Sequence, residues 1–253
     1  HPSFVVYPMI VQAAGGIRVM VMLKDYRLDL EAMARAITPL TKVIFIANPN
    51  NPTATIVTAE EVEHFMSRVP ERTIVVFDEA YIEFALGPDF PETLQYVKQG
   101  RKVIVLRTFS KAASLAGLRV GYAVCDPDAA SLMNRIRQPF NVNSLAQVAA
   151  LAALEDESHI LECVRMIEAG RHFLYDEFKA LGIKYVPARA NFILVDVGRS
   201  ATDIYQRLLK DGVIVRPMTP FGMETALRIT VGTPEENRRL VKALRKVLGV
   251  NTA

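Results

Sequence analysis

Val103-Ile104-Val105-Leu106-Arg107-Thr108-Phe109-Ser110-Lys111 is the stretch that decides the fold. Four consecutive apolar residues, two of them valine and one isoleucine, read as a strand buried on both faces, as in a parallel sheet. In α/β proteins ligands gather beyond the carboxyl ends of such strands. This one ends in Thr108, Ser110 and Lys111. Eight positions further comes Arg119, in Leu115-Ala116-Gly117-Leu118-Arg119-Val120-Gly121. Two hydroxyls and a guanidinium suit a phosphate. A partly desolvated amine suits a Schiff base. Together they point to pyridoxal phosphate, which carries both a phosphate and an aldehyde.

Working outward, strand-like runs alternate with helical ones up to about residue 125. Gly16 to Leu23 reads as a strand rich in Val and Met. Asp29 to Ile37 has helical spacing, with Leu30, Met33 and Ile37 on one face. Val43 to Ala47 is a short buried strand ending in the turn Asn48-Pro49-Asn50-Asn51-Pro52. Thr58-Ala59-Glu60-Glu61 is a capping box that opens a helix closed by Pro70. Ile74 to Phe77 is a strand ending at Asp78, and Val120 to Val124 is another. This order predicts an α/β fold, mainly a parallel sheet with helices on both faces.

After Pro127 the pattern changes. Asp128 to Arg137, Ser144 to Leu154 and Ser158 to Leu181 read as helices. Strands follow near residues 183–186, 192–197, 213–215 and 226–231, with a helix from Ala201 to Lys210 among them. Thr233-Pro234-Glu235-Glu236 caps a terminal helix running to Leu248. We expect a large domain over residues 1–170 and a smaller α+β domain over 171–253, divided within the long helix.

The 253 residues are enough for one large domain or two modest ones. With 51% hydrophobic and 23% charged residues the chain is globular rather than disordered. The net charge of +3 is scattered, without a basic stripe interleaved with aromatics, so nucleic acid is not the expected partner. No apolar run has the length of a membrane span, and no signal peptide pattern is seen. Cys125 and Cys163 form no CxxC and stand apart from any His cluster. They read as reduced thiols of a cytoplasmic protein, and no metal site is expected.

Three strand ends deliver polar groups to one edge: Asn50-Asn51-Pro52-Thr53, Asp78-Glu79-Ala80-Tyr81, and Thr108 with Ser110 and Lys111. A pyridine ring withdraws electrons well only when its nitrogen is protonated, and a nearby carboxylate favours that form. Asp78 is the candidate. Asn51 and Tyr81 can donate to the ring's phenolic oxygen. Lys111 condenses with the aldehyde and, once displaced by an amine, carries a proton. Thr108, Ser110 and Arg119 hold the phosphate. Taken singly, each has a plainer reading: Asp78 as a helix cap, Asn51 as a turn residue, Tyr81 as core, Ser110 and Lys111 as solvated loop, Arg119 as a surface ion pair. Only as a set do they match one cofactor.

Asn51-Pro52-Thr53, Asp78-Glu79-Ala80-Tyr81-Ile82-Glu83-Phe84, Arg107-Thr108-Phe109-Ser110-Lys111-Ala112 and Leu115 to Tyr122 resemble the fold-type-I pyridoxal-phosphate aminotransferases, above all the histidinol-phosphate aminotransferase group, as does Leu227-Arg228-Ile229-Thr230-Val231-Gly232-Thr233. The resemblance implies a homodimer that moves an amino group between histidinol phosphate and 2-oxoglutarate in histidine biosynthesis. It implies that Phe4 stacks on the pyridine ring and that Arg228 and Arg216 grip the substrate's anionic groups. Asn191 is a further substrate-side candidate. Other aromatic aminotransferases and threonine-phosphate decarboxylases share the pattern. A non-catalytic remnant that binds a partner or dimerises is a third reading.

Three departures from the family pattern matter. Ala54 stands where glycine is usual, Ala113-Ser114 where an aromatic residue and glycine are, and Ala123 where glycine is common. A positive φ at the first would cost Ala on the order of 1 kcal/mol or more. In the family a longer segment also precedes Pro2-Ser3-Phe4, contributing a Gly-rich phosphate turn and a tyrosine for the neighbouring subunit. The chain is therefore expected to be a fragment, or a natural chain that lost its front, with an open edge at the strand from Gly16 and weak or absent cofactor binding.

Overall fold

The computed structural model describes residues 1–250. Two four-stranded sheets carry it. The first has the order β1-β2-β3-β4, with β1 Val43–Ala47, β2 Ile74–Asp78, β3 Val103–Thr108 and β4 Gly121–Cys125. β1, β2 and β3 are parallel, in a register that aligns Ala47 with Asp78 and Asp78 with Leu106. Their carboxyl ends therefore lie along one edge. β4 runs antiparallel to β3, with Gly121 opposite Thr108. That reversal returns the chain just before it, Arg119 included, to the same edge.

Alternation within the strands decides which side is covered. Ile44, Ile46, Val75, Phe77, Val103 and Val105 all face one way and form a core with Leu30 of α2 (Leu30–Arg35), Val62, Phe65 and Met66 of α3 (Ala59–Arg68), and Tyr96 of α4 (Leu94–Lys98). Asp29 caps α2, and α3 opens with the expected box, Thr58 and Glu61 satisfying each other's backbone N–H. On the opposite face Phe45 carries the ring of Tyr7 from α1 (Val6–Ala13), stacked at 4.8 Å.

α5 (Pro127–Ile136) and α6 (Ser144–Glu155) lead to the 24-residue α7 (Glu157–Ala180). α7 ends beside the second sheet, ordered β5-β6-β8-β7 and antiparallel throughout. Its strands are β5 Lys184–Tyr185, β6 Phe192–Asp196, β7 Arg216–Pro217 and β8 Ala226–Thr230. Ile167, Leu174 and Phe178 of α7 pack with Phe192, Ile193, Leu227 and Ile229 of this sheet, under α8 (Ala201–Lys210) and α9 (Pro234–Leu248). Pro234 opens α9 behind the Thr233–Glu236 capping box.

Two expected strands are corrected. Gly16 to Leu23 forms no strand: Ile17 is 91% exposed and Val19 67%. A strand requires a neighbour for its N–H and C=O groups, and among the described residues this run finds only isolated contacts, such as Leu23 N–H to the His1 carbonyl. Val213 and Val215 are buried as expected, yet ladder pairing begins only at Arg216. α1 was not anticipated, because Pro8 and three β-branched residues mask its helical spacing; Pro is tolerated in a first turn. Among the described residues no helix is long and apolar enough to cross a membrane.

Candidate active site

Asp78 is the last residue of β2, held partly buried by the strands on both sides. Its Oδ1 accepts the Ala80 N–H at 3.2 Å and its Oδ2 accepts the Tyr7 hydroxyl at 2.5 Å. Burial pushes the Asp78 carboxyl above the usual aspartate range, opposed by those two hydrogen bonds and by the charge of Lys111. Lys111 lies half-buried beyond β3, its Nζ 5.2 Å from the centre of the Tyr81 ring. Burial lowers the amine's pKa, and the guanidinium groups of Arg228 and Arg119 lower it further. A lysine so placed is neutral, and hence nucleophilic, for more of its time than a solvated one.

Tyr81 is buried and meets Phe192 of β6 edge to face at 5.1 Å. Arg228 of β8 lies 5.0 Å over the same Phe192 ring and donates to Asn51 Oδ1 at 2.7 Å. This bond ties the second sheet to the turn after β1 and leaves the Asn51 amide free to donate elsewhere. Directly across the β7–β8 ladder from Arg228 stands Arg216. Like charges in opposed positions are destabilising in a sheet, and Arg216 lowers the Arg228 pKa further after burial has lowered it.

Arg119 donates to Ser110 Oγ at 3.4 Å and to the Ala116 carbonyl at 2.7 Å, from a left-handed backbone with φ 55°. The two candidates for holding a phosphate thus lie together in one corner of the edge. Thr108 sits beside them with its hydroxyl turned inward, accepting the Ser110 N–H at 3.1 Å. Phe4 is 36% exposed and touches the Tyr7 ring edge-on at 5.5 Å. Asn191 meets the sheet through its backbone, accepting from Val231 N–H. Eight of the eleven candidates thus cluster tightly, while Phe4, Asn191 and the exposed Arg216 stand at the margin.

Two groups escaped the sequence reading. One is Tyr7. The other is Glu79, 1% exposed and bridged by Arg107 through both Nε and a terminal nitrogen at 2.9 Å, which fixes β2 against β3 beside the site. A fully buried glutamate demands such a partner, but nothing local in the sequence says which arginine supplies it.

The chain matches the family Aminotransferase class I and II over residues 1–244. It belongs to that family. Among curated relatives it is 51% identical over 246 residues to histidinol-phosphate aminotransferase 2 of Pseudomonas fluorescens, covering 97% of this chain and 66% of that one. It is 48% identical over 248 residues to histidinol-phosphate aminotransferase of Moorella thermoacetica, covering 98% and 64%. The chain thus spans about two thirds of the length of these relatives. A crystal structure of histidinol-phosphate aminotransferase from Sinorhizobium meliloti, in complex with pyridoxal-5'-phosphate, superposes with a TM-score of 0.87 at 32% identity, covering 98% of this chain and 68% of that one. The fold is the α/β architecture of the fold-type-I aminotransferases.

Within the family frame, two of the departures from glycine acquire a physical meaning. Ala54 has φ 59° and Ser114 φ 60°, both left-handed. Ala54 is fully buried, so a glycine there would relieve strain but remove a packed methyl. Ser114 is exposed, its Oγ 3.1 Å from His159 Nε2. Ser114→Gly is expected to stabilise the fold by roughly 0.5 kcal/mol, the strain relieved exceeding glycine's added unfolded-state entropy. In a thermal melt that is a rise of about 1–2 °C; a fall would show that the left-handed turn costs nothing here.

Proposed function

We propose that this chain carries the reaction centre of a pyridoxal-phosphate aminotransferase acting on histidinol phosphate and 2-oxoglutarate, in a cytoplasmic homodimer divided near residue 170 into a cofactor-binding and a smaller domain. The observation that carries the reading is the convergence on one sheet edge of Asp78, Lys111, Tyr81 and the Asn51–Arg228 pair. The donor set fits the cofactor: a partly buried carboxylate for a cationic ring nitrogen, an amine of lowered pKa for an aldehyde, and the Ser110–Arg119 pair for a phosphate.

When bound, pyridoxal phosphate supplies the aldehyde and the electron-withdrawing ring on which transamination depends. Lys111 is the amine that would hold the aldehyde and, when free, would move a proton at the substrate's reacting carbon. Asp78 favours the protonated ring nitrogen by opposite charge. Tyr81 and the Asn51 amide would donate to the cofactor's phenolic oxygen, and Phe4 would cover its ring. Arg228 and Arg216 bind the anionic end of the substrate, with Asn191 at its side. A guanidinium fork accepts phosphate and carboxylate alike. The pair therefore suits an enzyme that alternates between an amino-phosphate and a dicarboxylate.

The test is a panel of amino donors with 2-oxoglutarate at saturating cofactor. Histidinol phosphate should give the highest kcat/KM, and Arg216→Ala should raise its KM more than it lowers kcat. A preference for aromatic amino acids, or release of carbon dioxide from threonine phosphate, would replace the substrate assigned here.

A further inference from the structure

We propose that Tyr7 is a positioning residue for Asp78, its hydroxyl fixing the carboxylate that would serve the cofactor's ring nitrogen; the proposal rests on the functional reading above. The two residues are 71 positions apart, and the phenol reaches Asp78 Oδ2 at 2.5 Å. With Ala80 N–H on Oδ1, both oxygens are held and the carboxylate cannot turn about its own axis without breaking a bond.

The phenol is itself fixed. Its ring lies flat on Phe45 of β1, at 4.8 Å and 13° between planes, with the Phe4 edge against it at 5.5 Å. No residue of α1 is buried. The helix is therefore not a core element that happens to bring a tyrosine along. Its Tyr7 is anchored by one aromatic stack and one polar bond.

The chemistry of the pair is complementary. Burial, and then the neighbouring Asp78 charge, pushes the Tyr7 phenol far above its ordinary value, so the phenol is the donor of the pair. The charged and titratable groups that face Asp78 are Tyr7 from α1, Lys111 from the segment after β3 and Tyr81 from the segment after β2. Of these, Tyr7 alone hydrogen-bonds the carboxylate. Without that donor, one oxygen of a desolvated carboxylate loses its partner, and the protonated, freely turning form gains.

Tyr7→Phe tests this, since it keeps the ring and its stacking and removes one oxygen. Two measurements are made beside Asp78→Asn. The first is the carbon-13 titration of the Asp78 carboxyl in cofactor-free protein, assigned by its absence from Asp78→Asn. The second is the apparent Kd for pyridoxal phosphate, read from the absorbance of the adduct. In Tyr7→Phe the carboxyl should titrate at higher pH than in the parent, and the Kd should rise roughly 10-fold, the equivalent of one charge-assisted hydrogen bond. In the Asp78→Asn background, Tyr7→Phe should change the Kd by less than about twofold, because the group it acts through is gone. An unmoved titration, or an equal loss of affinity in both backgrounds, overturns the positioning role while leaving the aminotransferase reading intact. Failure of the parent protein to form any adduct at Lys111 even at millimolar pyridoxal phosphate, where weak binding would still register, overturns that reading, and this proposal with it.

Discussion

Replacing Lys111 by alanine is expected to eliminate the borohydride-fixed adduct with pyridoxal phosphate and to lower transamination by at least about 1,000-fold, since both covalent capture and proton transfer depend on it. The fold should survive. Lys111 is half-buried, contacts the Tyr81 face through a cation–π approach of 5.2 Å, and keeps its amine in surroundings that disfavour its charge. Loss of that amine removes a desolvated cation beside Arg228 and Arg119, so the melting temperature should hold or rise slightly. Lys111→Arg sharpens the test. Arginine restores the positive charge but does not deprotonate in a protein. If the amine acts as a nucleophile and base, arginine is as inactive as alanine; if only its charge matters, arginine recovers much of the rate. Peptide mapping of the reduced adduct, with kcat measured on all three proteins, decides between them. Retained activity in Lys111→Ala would end the catalytic assignment.

Much of this centre was legible because its parts are strand ends. Ile74 to Phe77 and Val103 to Leu106 are continuous apolar runs, rich in β-branched residues, that read as buried strands. Once both are parallel, Asp78 and Lys111 must share an edge, as the register of β1, β2 and β3 bears out. The capping boxes at Thr58 and Thr233 were equally readable, since both partners lie within four residues. What escaped depends on pairing between distant segments. Gly16 to Leu23 has the composition of a strand, but composition does not supply a neighbour, and its Ile17 and Val19 lie in solvent. Val213 and Val215 have a strand's burial without its ladder. The Tyr7–Asp78 bond joins residues 71 apart, and no local signal announces it. The substitutions of glycine at 54 and 114 carried information of another kind: a position that prefers glycine for φ > 0 keeps that φ when another residue occupies it.

Asp78→Asn should cut turnover by roughly 100- to 1,000-fold, the cost of losing one fixed charge opposite a developing one, while its effect on stability runs the other way with pH. Burial raises the carboxyl above its ordinary value of 3.8. Between that value and the higher folded one, the native protein holds more of the proton than the unfolded chain, so stability falls as pH rises through the interval. Above the folded value the loss is complete and constant. Asparagine has no such interval. The melting temperature of the variant relative to the parent should therefore increase as pH is raised from about 4 through the folded value, then level off. Glu79 and Glu83, whose carboxyls burial also pushes up, are common to both proteins and cancel in the difference. One hydrogen bond opposes the gain: the amide offers a single acceptor where Tyr7 and Ala80 each donate to a carboxylate oxygen, a loss of about 1 kcal/mol that does not vary with pH. The slope of the difference, not its absolute sign, is thus the diagnostic quantity. A flat difference across that range would mean that Asp78 is no more costly to ionise folded than unfolded, and a variant with full kcat would mean that its charge has no part in the reaction. A rising difference together with lost turnover would identify Asp78 as a charge kept against the interest of the fold, which is what a functional carboxylate at the end of a buried strand requires.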